Sequence, residues 1–159
     1  MLFRSQLVTT NAGASGITIT PSAAVGVGLS NYSITYNTGA VTVGTKALTI
    51  TADNQTTTYG TPYTTGSGST AFTSSGLINS DSITSVTLAT NQTENTAAGA
   101  SSITVTPSSA VGVGLSNYSI TYNTGAVTVG TKALTIIADR KSTRLNSSHI
   151  PLSRMPSSA

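Results

Sequence analysis

The chain has 159 residues, a formal net charge of +3 and only 7% charged residues. From Gln6 to Ala138 it holds two lysines against three acids, a net charge of −1, so the positive charge belongs to the two ends. A phosphate-binding face needs several clustered cations, a membrane-spanning helix about 20 apolar residues, and a disulfide framework cysteines; residues 6–138 offer none of these.

Residues 1–5 are M-L-F-R-S, encoded by GTG CTC TTC CGA TCT read from a GTG start. That DNA is the reverse complement of the opening of what resembles a short-read sequencing-library adapter. Residues 139–149, D-R-K-S-T-R-L-N-S-S-H, are encoded without a gap by the same adapter-like DNA, and residues 153–159 by its continuation. Both ends are therefore set aside as adapter-like scars, with 139–159 expected to be disordered.

Between the scars, residues 14–52 repeat as 100–138 at an offset of 86, with 35 of 39 positions identical. A period this long suits tandem copies of an autonomous domain rather than the coils of a solenoid. Residues 6–46 read as the C-terminal half of one repeat. Within it, Pro21 is expected to end a strand, Val25 to Gly28 to be loop or weak strand, and Tyr32, Ile34 and Tyr36 to alternate along a strand. Asn37, Thr38 and Gly39 read as a hairpin loop before Val41 and Val43, with Gly39 at positive φ. Residues 47–130 read as one complete repeat. It opens with the alternation Leu48, Ile50, Ala52, and Thr49 and Thr51 face water. Pro107 and the second hairpin loop, Asn123 to Gly125, repeat the earlier signals. Residues 131–138 read as the first strand of a further repeat, and the short stretch Gly44 to Lys46 implies stiff end-to-end joints.

The chemistry available to such a chain is thin. Between residues 6 and 138, Asp53, Asp81 and Glu94 are the acids, too scattered for the six to eight oxygens of a calcium site. Serine catalysis needs a base, and the one histidine, His149, lies in the C-terminal scar. No catalytic, cofactor-binding or metal-binding residues are therefore assigned. Lys46 and Lys132 read as exposed residues at unit boundaries. The tyrosines at 32, 36, 118 and 122 read as core or corner residues before they read as sugar-stacking ones.

The run from Lys46 to Val129 resembles MBG repeats of the YGX type. The marks are the strand opening at Leu48, the pair Tyr59-Gly60, the segment Gly76-Leu77 to Asp81, and the closing Asn117-Tyr118-Ser119-Ile120-Thr121-Tyr122 followed by Gly125-Ala126-Val127-Thr128-Val129. One departure stands out: Thr61-Pro62 follows the Tyr-Gly pair where an acidic residue is common. Such repeats occur in tandem in very large bacterial surface and secreted proteins, including haemagglutinin-like adhesins. The resemblance implies an extracellular, cell-surface, non-enzymatic module without cofactors. Its partners would be neighbouring repeats, and it would touch neither nucleic acid nor membrane interior. The expected fold is all-β, an Ig-like sandwich, with a β-grasp carrying one short helix near residues 74–79 as the alternative. The expected role is a structural spacer. The alternative role is adhesive binding to a glycan or host protein, with Tyr59 as the candidate ligand-binding residue.

Overall fold

Threonine alternates with aliphatic residues through the middle of the chain, and there the backbone forms strands. The computed structural model describes residues 3–4 and 10–138; residues 139–159, expected to be disordered, lie outside the described residues. β1 (Phe3–Arg4), β2 (Thr18–Thr20) and β3 (Gly39–Ala40) make a small sheet. Phe3 and Arg4, set aside as part of a scar, thus pair with Thr20 and Ile19. The main body holds β4 (Lys46–Ala52), β5 (Gln55–Thr58), β6 (Gly66–Ser69), β7 (Phe72–Ser75), β8 (Ser82–Thr90), β9 (Thr104–Val113), β10 (Tyr118–Asn123) and β11 (Gly125–Gly130).

These eight strands form two sheets, ordered β10-β4-β7 and β5-β11-β9-β8-β6. Their inner faces share one core. Leu48, Ile50, Ala52 and Tyr118 come from the smaller sheet, and Val86, Leu88, Val105 and Val127 from the larger. Each large aliphatic side chain removed from water here contributes about 1.5–3 kcal/mol. The protein is therefore an all-β sandwich. Residues 74–79 are not helical, so the β-grasp alternative is corrected. Ile78 to Asp81 make a tight turn, with Asn79 at φ 55° and Ser80 at φ 62° and Asp81 N–H donating to the Ile78 carbonyl. Two successive positive φ values are those of a type I′ turn, which here carries the chain from β7 in the smaller sheet to β8 in the larger.

The opening and closing strands run parallel. β10 lies beside β4, Tyr118 facing Lys46 and Asn123 facing Thr51. β11 lies beside β5, Val127 facing Gln55 and Gly130 facing Thr58. The two segments cross from one sheet to the other together, at residues 53–54 and at Thr124. This corrects the expected hairpin at Asn123 to Gly125: β10 and β11 belong to different sheets. Gly125 is not at positive φ. Its role is close approach, because a Cβ there would sit 2.5 Å from the Ala52 carbonyl oxygen and 2.8 Å from that of Asp53.

Pro107 was expected to end a strand, and it lies inside β9 opposite Leu88, fully buried. The β11 ladder reaches β9 only at Thr104 and Val105, so Pro107 has no partner on that side to which an N–H would donate. Two residues further on, the β8 ladder steps from Thr87–Ser108 to Ser85–Val111. The extra residue makes a bulge with Ser109 at φ 47°. The Ala110 N–H beside this bulge donates to Tyr122 Oη at 2.9 Å.

The half-repeat repeats the local geometry of the complete one. Gly28 and Gly114 start short 3-10 turns at φ 76° and 77°. Ala23, in the position of Ser109, has φ 50°, and the next N–H, of Ala24, donates to Tyr36 Oη at 2.8 Å. Thr18 faces Ala40 as Thr104 faces Ala126. Packing differs completely: no residue from 10 to 47 is buried. Residues 131–138, read as the opening strand of a further repeat, form no strand in this chain and are exposed throughout.

Candidate functional site

The polar features of the sandwich gather at its two ends. At the end where the chain enters β4, Tyr118 is 7% exposed. Its hydroxyl accepts from the Ile78 N–H at 2.9 Å and donates to Asp81 Oδ2 at 2.8 Å. Burial raises the phenol above its ordinary value of 10.0, the Asp81 carboxylate raises it further, and the Ile78 N–H works against both. Asp81 in turn packs against Gly114, where any Cβ would strike its carboxylate. Tyr118, the 78–81 turn and Gly114 thus lock the closing strand to the β7–β8 turn.

Beside this lock, Asn117 reaches the preceding segment. Its Oδ1 accepts from the Ala12 N–H at 3.0 Å, and its Nδ2 donates to Asn11 Oδ1 at 3.4 Å. A cleft of about 400 Å³ lies at this junction, with Asn11, Gly44, Lys46, Asp81, Asn117 and Tyr118 among its walls. Lys46 is exposed.

At the opposite end, Tyr59 follows β5 and is 43% exposed. Its N–H donates to the Gly130 carbonyl at 2.9 Å, and Thr61 N–H donates to the Thr58 carbonyl at 2.9 Å. Gly60, at φ 80°, takes the third place of that turn, which glycine occupies without the cost a side chain would incur. Tyr59 therefore stands on a tight turn held against the exit strand. Behind it lies Gln92, which the sequence reading missed. Its side chain is buried, accepting from the Tyr63 N–H at 3.0 Å and donating to Thr57 Oγ1 at 2.8 Å. One glutamine among threonines gives no pattern by which to find it.

The three acids are not brought together. Asp53 lies at the sheet crossing, Asp81 in the lock, and Glu94 exposed in the β8–β9 loop. Among the described residues no group of three or more His, Cys, Asp or Glu could hold a metal ion. No helix of the described residues is long and apolar enough to cross a membrane. The tyrosines divide: Tyr118 and Tyr122 pack against the core, while Tyr32 and Tyr36 are exposed.

Fold and polar groups together define a β-sandwich repeat domain whose buried polar groups tie strands and turns to one another. The chain belongs to the MBG domain (YGX type) family, which matches residues 48–128. This is a family of repeat domains of surface proteins and is not a known enzyme family. No curated protein and no solved structure matches the chain. The family's marks acquire physical meaning here: Asp81 and Tyr118 form the entry lock, and Tyr59-Gly60 the exit turn.

Proposed function

We propose that this chain is a structural spacer, part of the stalk of a large bacterial extracellular adhesin, and that it carries no catalytic activity. The observation that supports this most directly is the parallel pairing of opening and closing strands. Because β4–β5 and β10–β11 run side by side in one direction, the chain enters beside Tyr118 and leaves beside Thr58, at opposite ends of the unit. Tension between those ends pulls the two segments past each other. The ladder bonds of both sheets then bear load together instead of opening one at a time. Short joints at Gly44 and Thr45 pass that load to the neighbour. Force spectroscopy on a tandem of 46–130 units tests this. A single high rupture force per unit, lowered by Thr49→Pro in the β4–β10 ladder, is the expected result; extension at low force in small steps would refute it.

A second reading, adhesion, is favoured by the position of Tyr59, whose ring stands exposed on a rigid turn. Exposed aromatic rings stack on sugar faces. A glycan array with the chain and its Tyr59→Ala variant separates the two. Reproducible binding that this substitution abolishes supports adhesion, and a blank array supports the spacer.

A further inference from the structure

Asn117 belongs to the complete unit, and the loop it reaches, residues 11–14, belongs to the half-repeat before it. The bond from the Ala12 N–H to Asn117 Oδ1, at 3.0 Å, therefore runs from one repeat to the next. Only Gly44 and Thr45 stand between Val43 and β4, which keeps the two units within about 10 Å of each other at the joint. Within so short a reach, one well-placed bond selects one orientation. Asn117 is itself aimed from within its unit: its N–H donates to the Gly114 carbonyl at 3.0 Å, and Gly114 packs on Asp81 of the entry lock.

Both sides of this contact occur twice. The 11–14 loop closes through the Ala14 N–H, which donates to the Asn11 carbonyl at 3.3 Å, and the Gly13 N–H fastens it to the Val43 carbonyl at 2.9 Å. Residues 97–100 repeat both bonds, Ala100 to Ala97 at 3.1 Å and Gly99 to Val129 at 2.9 Å. Gly13 and Gly99 share a φ of 74°, and Gly-Thr-Lys follows Val43 and Val129 alike. The acceptor is repeated as well, since Asn31 ends the same turn through the Gly28 carbonyl at 3.1 Å. One loop position differs, with Ala97 in place of Asn11. That change removes the longer bond, from Asn117 Nδ2 to Asn11 Oδ1 at 3.4 Å. It keeps the backbone donor, which every residue except proline supplies.

We propose that successive repeats are clasped at a fixed angle by this contact. The 97–100 loop of each unit seats on the entry face of the next, and its Ala98 N–H donates to the asparagine standing in the place of Asn117. The exit end is thus a docking surface whose partner is the entry face of the following repeat. This deepens the spacer reading and rests on the tandem order that reading assumes. It adds resistance to bending at the joints to the resistance to extension within each unit.

Residues 46–130 hold the whole core, so two copies of 46–131 in tandem give two complete units and one joint. The chain has no cysteine. Thr106→Cys, at an exposed position of β9, then carries one spin label per unit, and pulsed electron spin resonance reads the distance between them. A single narrow distance is expected. Asn117→Ala in the second unit, or Ala98→Pro in the first, should broaden it. Ala98 holds the second place of a turn whose third place is Gly99 at positive φ, a type II turn that accepts proline there. Ala98→Pro therefore removes the donor and keeps the loop. The same substitutions placed in the opposite units, where they face no joint, should leave the distance narrow. A broad distance in the unsubstituted tandem would overturn the proposal. So would a narrow distance indifferent to both variants, or broadening that does not depend on which unit carries the change. Rupture force is set by ladders within a unit, so failure here and failure of the spacer reading are told apart.

Discussion

Tyr118 and Tyr32 share their sequence neighbours and backbone geometry and differ in what surrounds their side chains. Tyr118 is 7% exposed and bonded to Ile78 and Asp81, and Tyr32 is 72% exposed. Tyr118→Phe leaves the Ile78 N–H without the hydroxyl it donates to, a loss that exceeds that of an exposed bond. Thermal unfolding should shift down by several degrees for Tyr118→Phe and stay within error for Tyr32→Phe. The raised phenol also fixes a pH response. Well below pH 10 Tyr118 is neutral in both states, and its contribution is complete. Above that, the unfolded chain releases its proton first, so stability falls as pH rises toward the folded value. Denaturant titrations above pH 10 should show that decline, shallower in Tyr118→Phe. Gln92 sets a second test. Gln92→Leu strands the Tyr63 N–H and the Thr57 hydroxyl, at a cost of about 1–3 kcal/mol in urea unfolding.

Strands and turns were legible to different degrees. The alternation Leu48, Ile50, Ala52 is the inward face of β4, as its period required. The Asn-Thr-Gly signal was misread as a hairpin because hairpin and sheet crossing both need a glycine, one for positive φ and the other for backbone clearance. Gly125 and Gly39 have identical sequence surroundings, and neither takes the positive φ expected of a hairpin glycine, so backbone clearance alone separates them. A Cβ at Gly125 meets the Ala52 carbonyl, and at Gly39 it meets nothing within 4 Å. Gly125→Ala should cost about 1–3 kcal/mol by forcing the crossing strands apart, while Gly39→Ala should be close to neutral in the same unfolding measurement. Pro107 was misread for a related reason. A strand can hold proline where its neighbour has already left, and that departure is invisible locally.

At the scale of the molecule, protection from solvent should divide along the chain. Residues 46–130 share the core, and nothing from 10 to 47 is buried. Amide exchange should be slow in β4, β8, β9 and β11, and fast across 10–45 and 131–138. Uniform protection along the chain would contradict this division. The same contrast explains why the site was only partly readable. Tyr59, Asp81 and Tyr118 could be picked out by type and order. That Asp81 and Tyr118 meet, while Tyr59 stands at the other end, follows from the parallel pairing of strands some seventy residues apart.

By itself, the sequence determined whatever closes over short distances: the 3-10 turns after Gly28 and Gly114, the positive φ at Ala23 and Ser109, and the tyrosine bonds twelve residues away. These form in both copies because every atom they need lies within one short stretch. Burial was decided only by tertiary structure. The same tyrosines, leucines and isoleucines are dry in one copy and wet in the other, because an apolar face leaves water only when the strands opposite it are present.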